Sequence, residues 1–226
     1  MRYEDVSRAV FLRRPNRFIA QVELDGREET VHVKNTGRCA ELLTPGVTVW
    51  VSRARAPKRR TQYDLITVDR GGLMVNMDSQ APNRLFAEWA EAGGFGDVTD
   101  LKPEQTYGAS RFDFSMMRHG LPTFVEVKGV TLEREGAALF PDAPTERGVR
   151  HLRELIDAKA AGYGTAICFV IQMKGPAVFR PNRATHPAFA DALREASAAG
   201  VRILALDCVI TPDSARIDAP VPIDLE

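Results

Sequence analysis

Arg111–Phe112–Asp113–Phe114–Ser115 and Phe124–Val125–Glu126–Val127–Lys128, joined across His119–Gly120, read as the two strands of a hairpin. Successive side chains of a strand point to opposite faces, and residues two apart lie roughly 6–7 Å from each other on one face. By that alternation Arg111, Asp113 and Ser115 share a polar face, and Phe112, Phe114 and Met116 share an apolar face that belongs in a core. On the second strand Glu126 and Lys128 share one face, and Val125 and Val127 the other. Pairing of the strands brings Asp113, Glu126 and Lys128 together.

Helical segments flank this hairpin. Ala81–Pro82–Asn83 opens a helix over Arg84–Ala92 that Gly93–Gly94 closes. Thr131–Phe140 reads as a third strand with a turn at Glu135–Gly136. Thr145 is placed to cap a helix over Glu146–Ala161, in which Leu152, Leu155, Ile156 and Ala160 form an apolar stripe of helical period. Thr165–Met173 is a buried strand, Pro187–Ala199 a helix closed by Gly200, and Val201–Cys208 a last strand. Residues 81–226 therefore read as an α/β domain.

Residues 1–80 read differently. Arg17–Leu24 alternates, with Phe18, Ala20, Val22 and Leu24 on one face, and Asp25–Gly26 is a hairpin turn into Glu29–Lys34. A short helical turn lies around Arg38–Leu43. Val47–Arg53, Gln62–Val68 and Leu73–Met77 complete a set of five short strands. A five-stranded barrel of the oligonucleotide-binding (OB) type is the expected fold, with a plain β-meander as the alternative. The whole chain is thus α/β in the broad, α+β sense, with one domain over 1–80 and another over 81–226.

Bulk properties fit such a globular protein. Among 226 residues, 44 % are hydrophobic and 27 % charged, which excludes a disordered chain. Net charge is zero, but residues 1–80 carry 14 Lys and Arg against 10 Asp and Glu, leaving 16 against 20 in the remainder. A basic front and an acidic back suit a nucleic-acid grip joined to a carboxylate-bearing part, although such imbalance also arises by chance. Cys39, Cys168 and Cys208 are few and scattered, as for buried thiols in a reducing compartment. Met1–Val10 has no apolar region of the secretory kind, and no stretch is long and apolar enough to span a bilayer, so a cytoplasmic protein is expected.

The carboxylates and lysine suggest a chemistry. Mg²⁺ takes hard oxygen ligands and keeps waters, so Asp113, Glu126, a backbone carbonyl between Glu126 and Lys128, and water make a shell. Mn²⁺ is the natural substitute. Lys128 is placed to orient or deprotonate an attacking water, and the ion to polarise a phosphate. The spacing is short, however, and a solvated strand face produces it as well. Three residues are candidates for support. Glu88 can face the site from its helix or pair with Arg84 at i,i+4. Asp142, in the loop before Thr145, reads first as a helix cap and second as a further ligand. Gln172 ends a buried strand at the level of the site.

Phosphate contacts are expected from Arg53, Arg55, Lys58, Arg59 and Arg60, five basic residues in eight, with Trp50 and Tyr63 beside them as stacking candidates or core. Arg38, in a turn, together with Arg111, Arg147 and His151, completes the candidate nucleic-acid contacts. A solvated loop and the wet side of a helix are the plain alternatives.

Four runs resemble a known family. They are Asn35–Thr36–Gly37–Arg38, Ser110–Arg111–Phe112–Asp113–Phe114, Glu126–Val127–Lys128–Gly129–Val130–Thr131–Leu132, and Phe140–Pro141–Asp142–Ala143 with Thr145–Glu146–Arg147–Gly148–Val149–Arg150–His151–Leu152. In that order they are similar to the sugar fermentation stimulation protein A family, over a span from about Phe11 to about Leu206. The resemblance implies an N-terminal OB barrel and a C-terminal domain of the PD-(D/E)xK nuclease type, with Asp113, Glu126 and Lys128 on its Asp…Glu-x-Lys pattern. It also implies DNA binding and a link to regulation of sugar use. The expected function is a metal-dependent nuclease acting on DNA or RNA. The alternative is a non-catalytic DNA-binding regulator of sugar (maltose-type) utilisation genes. A sugar-metabolising enzyme ranks below both, because the chain has no phosphate loop, no GxGxxG and no zinc spacing among His32, His119, His151 and His186.

Overall fold

The computed structural model describes residues 1–35, 37–54, 59–108 and 110–226. Strand β1 (Val6–Asn16) turns at Arg17–Phe18 into β2 (Ile19–Leu24), which turns at Asp25–Gly26 into β3 (Arg27–Val33). Asp25 and Gly26 both take positive φ, 51° and 74°, the backbone that matches a tight turn to twisted strands. β4 (Thr48–Arg53) pairs with β1 on one side and with β5 (Tyr63–Arg70) on the other. Parallel pairing of His32 with Asp64 and Val33 with Leu65 joins β3 to β5 and closes a five-stranded barrel. Ala9, Phe11, Ala20, Val22, Val31, Val33, Val49, Val51, Leu65 and Val68 fill it.

The expected strand number holds, but its membership changes. β1 enters the ring although Val6–Asn16 carries no clean alternation; its pairing with β2 is irregular after Phe11 and again after Arg13, and such bulges erase a period of two. The strand expected at Leu73–Met77 lies outside the ring. It is β6 (Leu73–Asn76), a hairpin return from β5 that reaches the second domain through a bridge from Val75 to Met173. Phe18 does not join the inner face either. It sits in the turn, 48 % exposed, with the Arg17 guanidinium 4.9 Å from its ring centre.

Helix α1 (Ala81–Glu91) follows, with Pro82 in its first turn, where a missing N–H is harmless. Then come β7 (Val98–Tyr107), β8 (Ser110–Arg118), β9 (Leu121–Val130), β10 (Leu132–Arg134), β11 (Ala137–Phe140), α2 (Glu146–Ala160), β12 (Gly164–Ile171), β13 (Val178–Pro181), α3 (Pro187–Ala198), β14 (Arg202–Thr211) and β15 (Ser214–Pro220). A six-stranded sheet has the order β15-β14-β12-β9-β8-β7, with β9, β12 and β14 parallel. Along β12, Ala166, Cys168 and Val170 face Leu85, Phe86 and Ala90 of α1. Ile167, Phe169 and Ile171 belong to the core formed with Leu152 and Leu155 of α2 and Phe189 and Leu193 of α3. That second core runs on into the barrel.

Residues 131–140 are not a third strand of this sheet. They form the hairpin β10–β11, turning at Glu135–Gly136, within a separate three-stranded sheet completed by β13. β7 and β15 are edge strands whose polar residues disguise them in the sequence. All three cysteines are buried and free. Among the described residues no helix is long and apolar enough to cross a membrane.

Candidate functional site

The β8–β9 ladder starts at the tight turn, Arg118 opposite Leu121, and runs to Phe114 opposite Val125. There it stops, and Asp113 takes over with its side chain. Asp113 Oδ2 accepts the Val127 N–H at 2.8 Å, and Oδ1 accepts from Asn83 Nδ2 of α1 at 2.9 Å. The strand rotates at this point. Phe112 packs with Phe124, Tyr107 and His151, whereas Phe114 packs on Phe86 of α1. The expectation that Phe112 and Phe114 share a face is therefore wrong, because regular alternation ends where the ladder does. Asp113 lies at the break, its carboxylate directed along the sheet towards β9.

Glu126 and Lys128 share a face of β9, as alternation requires. Lys128 Nζ donates to Glu126 Oε1, and His151 Nδ1 meets the same oxygen. Glu126 is only 2 % exposed, and its other oxygen, Oε2, is buried without a hydrogen-bond partner among the described residues. Burial opposes ionisation of Glu126, but His151 and Lys128 outweigh it and hold the carboxyl below its ordinary range. Asp113 moves the other way. Burial and then the charge of Glu126 raise it, against the pull of Val127, Asn83 and Lys128. Two carboxylates that repel one another, one with an orphaned oxygen, form a place where a cation is favoured.

The donor set suits one kind of ion. Among the described residues no three His, Cys, Asp or Glu side chains are grouped to hold a metal. Two carboxylates and a carbonyl fit Mg²⁺, which keeps several waters and needs few protein ligands. The carbonyl is that of Val127. Its N–H points to Asp113, and within a strand the N–H and C=O of one residue leave on the same side.

His151 was expected on the wet side of α2. It is instead 2 % exposed and lies on the buried stripe with Gly148, Leu152 and Leu155. Spacing contained the signal, since residue 151 is three after Gly148 and four before Leu155. Arg147, exposed one turn earlier, sets its Nε 3.3 Å from His151 Nε2.

The supporting candidates separate. Glu88 pairs with Arg84 and with the Met1 amino group at 2.6 Å, so its carboxylate is engaged away from Asp113. Asp142 does not cap α2; Thr145 does, accepting the Gly148 N–H at 3.1 Å. Asp142 lies against the barrel, where a Cβ on Gly37 would stand 2.3 Å from its Oδ2. Gln172 is buried, and its Nε2 donates to Asn76 O, Asn76 Oδ1 and Asp78 O, tying β12 to the exit of the barrel. Its Oε1 presses on Gly129, the residue after Lys128. A cavity of about 120 Å³ opens here, between Asn35 and Ser79 on one side and Gly129–Leu132, Asp142 and Gln172 on the other.

Three of the five basic residues of the expected patch lie within the described residues. Arg55 and Lys58 lie outside the described residues. Arg59 forms a two-pronged pair with Asp64, at 2.6 and 3.1 Å, so its charge is already met. Arg53 leans on Gln62 and Tyr63, and Arg60 is exposed. Arg111 stands 3.4 Å from Glu104 on the surface, and Arg38 is exposed beside the cleft that Asp142 lines. Trp50 and Tyr63 are both half-buried. Two positions that hold candidate site residues escaped the sequence. Asn83 fixes Asp113, and Arg14 donates to the carbonyls of Arg17, Asn35, Gly37 and Arg38 at 2.6–2.8 Å, holding the loop that carries Arg38. Neither has a signal in spacing, because Asn83 to Asp113 and Arg14 to the carbonyls of Asn35, Gly37 and Arg38 join distant segments.

Fold and site together define a two-part protein: a closed OB barrel, then a mixed-sheet α/β domain whose hairpin break gathers two carboxylates and a lysine. The chain belongs to the sugar fermentation stimulation protein family. Residues 80–214 match the sugar fermentation stimulation protein RE domain, and residues 12–77 the N-terminal OB domain of the same family. A sugar fermentation stimulation protein homolog of Desulfitobacterium hafniense strain Y51 is 58 % identical over 95 % of this chain and 94 % of its own length. One from Ruminiclostridium cellulolyticum is 52 % identical over all of both chains. A structure described as Pyrococcus furiosus SfsA in complex with Ca²⁺ superposes with a TM-score of 0.89 at 28 % identity, covering 99 % of this chain and 98 % of that one.

Proposed function

We propose that this protein is a metal-dependent nuclease that hydrolyses phosphodiester bonds in DNA or RNA, gripping the strand partly through its barrel. The carrying observation is Glu126: a buried carboxylate beside Asp113, with Lys128 and His151 on one oxygen and, among the described residues, no partner on the other. Asp113, Glu126 and the Val127 carbonyl would hold Mg²⁺, with Mn²⁺ as substitute. When bound, such an ion polarises a phosphate and lowers the pKa of a coordinated water. Lys128, already at the Glu126 carboxylate, holds a positive charge where an attacking water or a phosphate oxygen would sit. Exposed Arg38, Arg60 and Arg147 supply phosphate contacts that carry no sequence information. The Ca²⁺ named for the Pyrococcus furiosus relative supports a divalent ion bound through oxygen.

The test uses purified full-length protein, single- and double-stranded DNA and RNA, and Mg²⁺ or Mn²⁺. Cleavage should stop in EDTA and in both Asp113→Ala and Lys128→Ala. Cleavage that survives both substitutions removes this site from the chemistry. Tight, salt-dependent binding with no substrate cut would leave a regulator that binds nucleic acid without hydrolysing it.

A further inference from the structure

We infer that Arg147 and His151 form a positioning chain that orients Glu126 and reserves its Oε2 for the metal; this rests on the reading of Asp113 and Glu126 as metal ligands. The chain is built from three contacts. Arg147 Nε lies 3.3 Å from His151 Nε2, His151 Nδ1 meets Glu126 Oε1, and Lys128 Nζ meets that same oxygen.

Donor chemistry sets the direction. An arginine Nε carries a hydrogen and has no accepting capacity, so His151 Nε2 must accept. The ring hydrogen is then on Nδ1, which donates to Glu126. Two donors hold Oε1 and leave Oε2, buried and without a hydrogen-bond partner among the described residues, as the uncommitted oxygen of the carboxylate. A carboxylate without them would be free to present either oxygen. Partners of this kind, one bond behind a metal ligand, fix its orientation in other metal sites.

The surroundings hold the chain rigid. His151 stands edge-on to Phe112, with ring centres 6.4 Å apart and planes at 78°. The first turn of α2 has no slack, because a Cβ on Gly148 would lie 2.9 Å from Thr145 Cγ2 and 3.1 Å from Phe189 Cε2. Arg147 is the exposed end. Its terminal nitrogens remain available to a phosphate, so one residue meets both solvent and the chain behind the ligand.

The experiment measures Mn²⁺ affinity by electron paramagnetic resonance on full-length wild type, His151→Leu, His151→Asn and Arg147→Lys, with thermal unfolding as a control. His151→Leu should bind Mn²⁺ about 10–100-fold more weakly, the usual cost of losing a partner behind a ligand. His151→Asn, whose amide can stand where Nδ1–H stood, should recover most of that loss. Arg147→Lys keeps the charge but not the planar Nε–H, and should also weaken Mn²⁺. Nitrogen-15 NMR of metal-free wild type should show His151 protonated on Nδ1 and bare on Nε2, a readout that survives if His151→Leu fails to fold. An Nε2–H tautomer, or equal Mn²⁺ affinity in wild type and His151→Leu, overturns the positioning chain and leaves the nuclease reading standing. Wild type that binds no Mn²⁺ overturns the nuclease reading and the metal role of the chain with it.

Discussion

Gly129→Ala tests how tightly the site is held from behind. Gly129 follows Lys128, and an added Cβ would lie 2.5 Å from Gln172 Oε1 and 2.6 Å from Pro82 Cγ. Neither neighbour yields easily. Pro82 is a rigid ring in the first turn of α1, and Gln172 is 1 % exposed with three hydrogen bonds on its Nε2. Overpacking a core costs about 1–3 kcal/mol. Loosening the Gln172 bonds adds about 1 kcal/mol for each bond left unmade. An overpacking cost of about 2 kcal/mol with one bond lost comes to about 3 kcal/mol, a fall in Tm of about 6–12 °C for a chain of this size. Thermal unfolding by circular dichroism, with urea titration to check that the transition stays cooperative, reads it directly. Because the displaced strand carries Lys128 and Glu126, Mn²⁺ affinity should fall alongside. A Tm within about 2 °C of wild type, less than 1 kcal/mol on the same scale, would refute the claim that Gln172 and Pro82 are fixed.

Three further outcomes are expected. Asp113→Asn should abolish cleavage, and its stability relative to wild type should be greatest at neutral pH, because burial and Glu126 raise the Asp113 carboxyl above its ordinary 3.8. A raised acid is a folding penalty at pH above its folded value, so the relative stability of the variant should fall as pH falls through that value and level off below 3.8, on top of a constant cost for an amide NH2 set against the Val127 or Asn83 donor; a difference that does not change with pH would contradict this. Asp64 has the opposite sign. Burial opposes its charge, but Arg59, Lys34 and His32 hold it below 3.8, so its contribution is complete above 3.8 and lost as pH falls through the lower folded value. Urea midpoints of wild type and Asp64→Asn should therefore converge in acid; parallel curves would refute it. Arg59→Ala should lower stability by about 1–2 kcal/mol, discounted for the solvent that reaches it, while nucleic-acid affinity changes little. Arg60→Ala should do the reverse, reducing the salt slope of binding by about 1, and equal effects of the two on binding would show that Arg59 is not held by Asp64.

Much of the architecture was legible because it is periodic. Alternation marked β2, β4 and β9, and located β8 while missing its break at Asp113; helical spacing marked α2, and Gly or Asp–Gly pairs marked the turns between them. What alternation missed is the bulged β1 and the polar edge strands β7 and β15, since bulges break the period and edges bury little. Two bases of the expected nucleic-acid grip changed for a related reason. A basic or polar side chain looks free in a sequence until a partner, Asp64 for Arg59 or Glu126 for His151, closes on it.

The sequence by itself determined that Glu126 and Lys128 share a face and that Asp113 lies on the neighbouring strand, because the period of two is a property of the extended chain. Only the tertiary structure decided how they meet. The ladder ends at Phe114, the Asp113 carboxylate replaces a backbone acceptor, α1 brings Asn83 to it, and α2 brings His151 to Glu126. Those contacts join residues 14 to 30 positions apart. No local period encodes them; they follow from packing two helices on opposite faces of one sheet, where space and unmet hydrogen bonds select the partners.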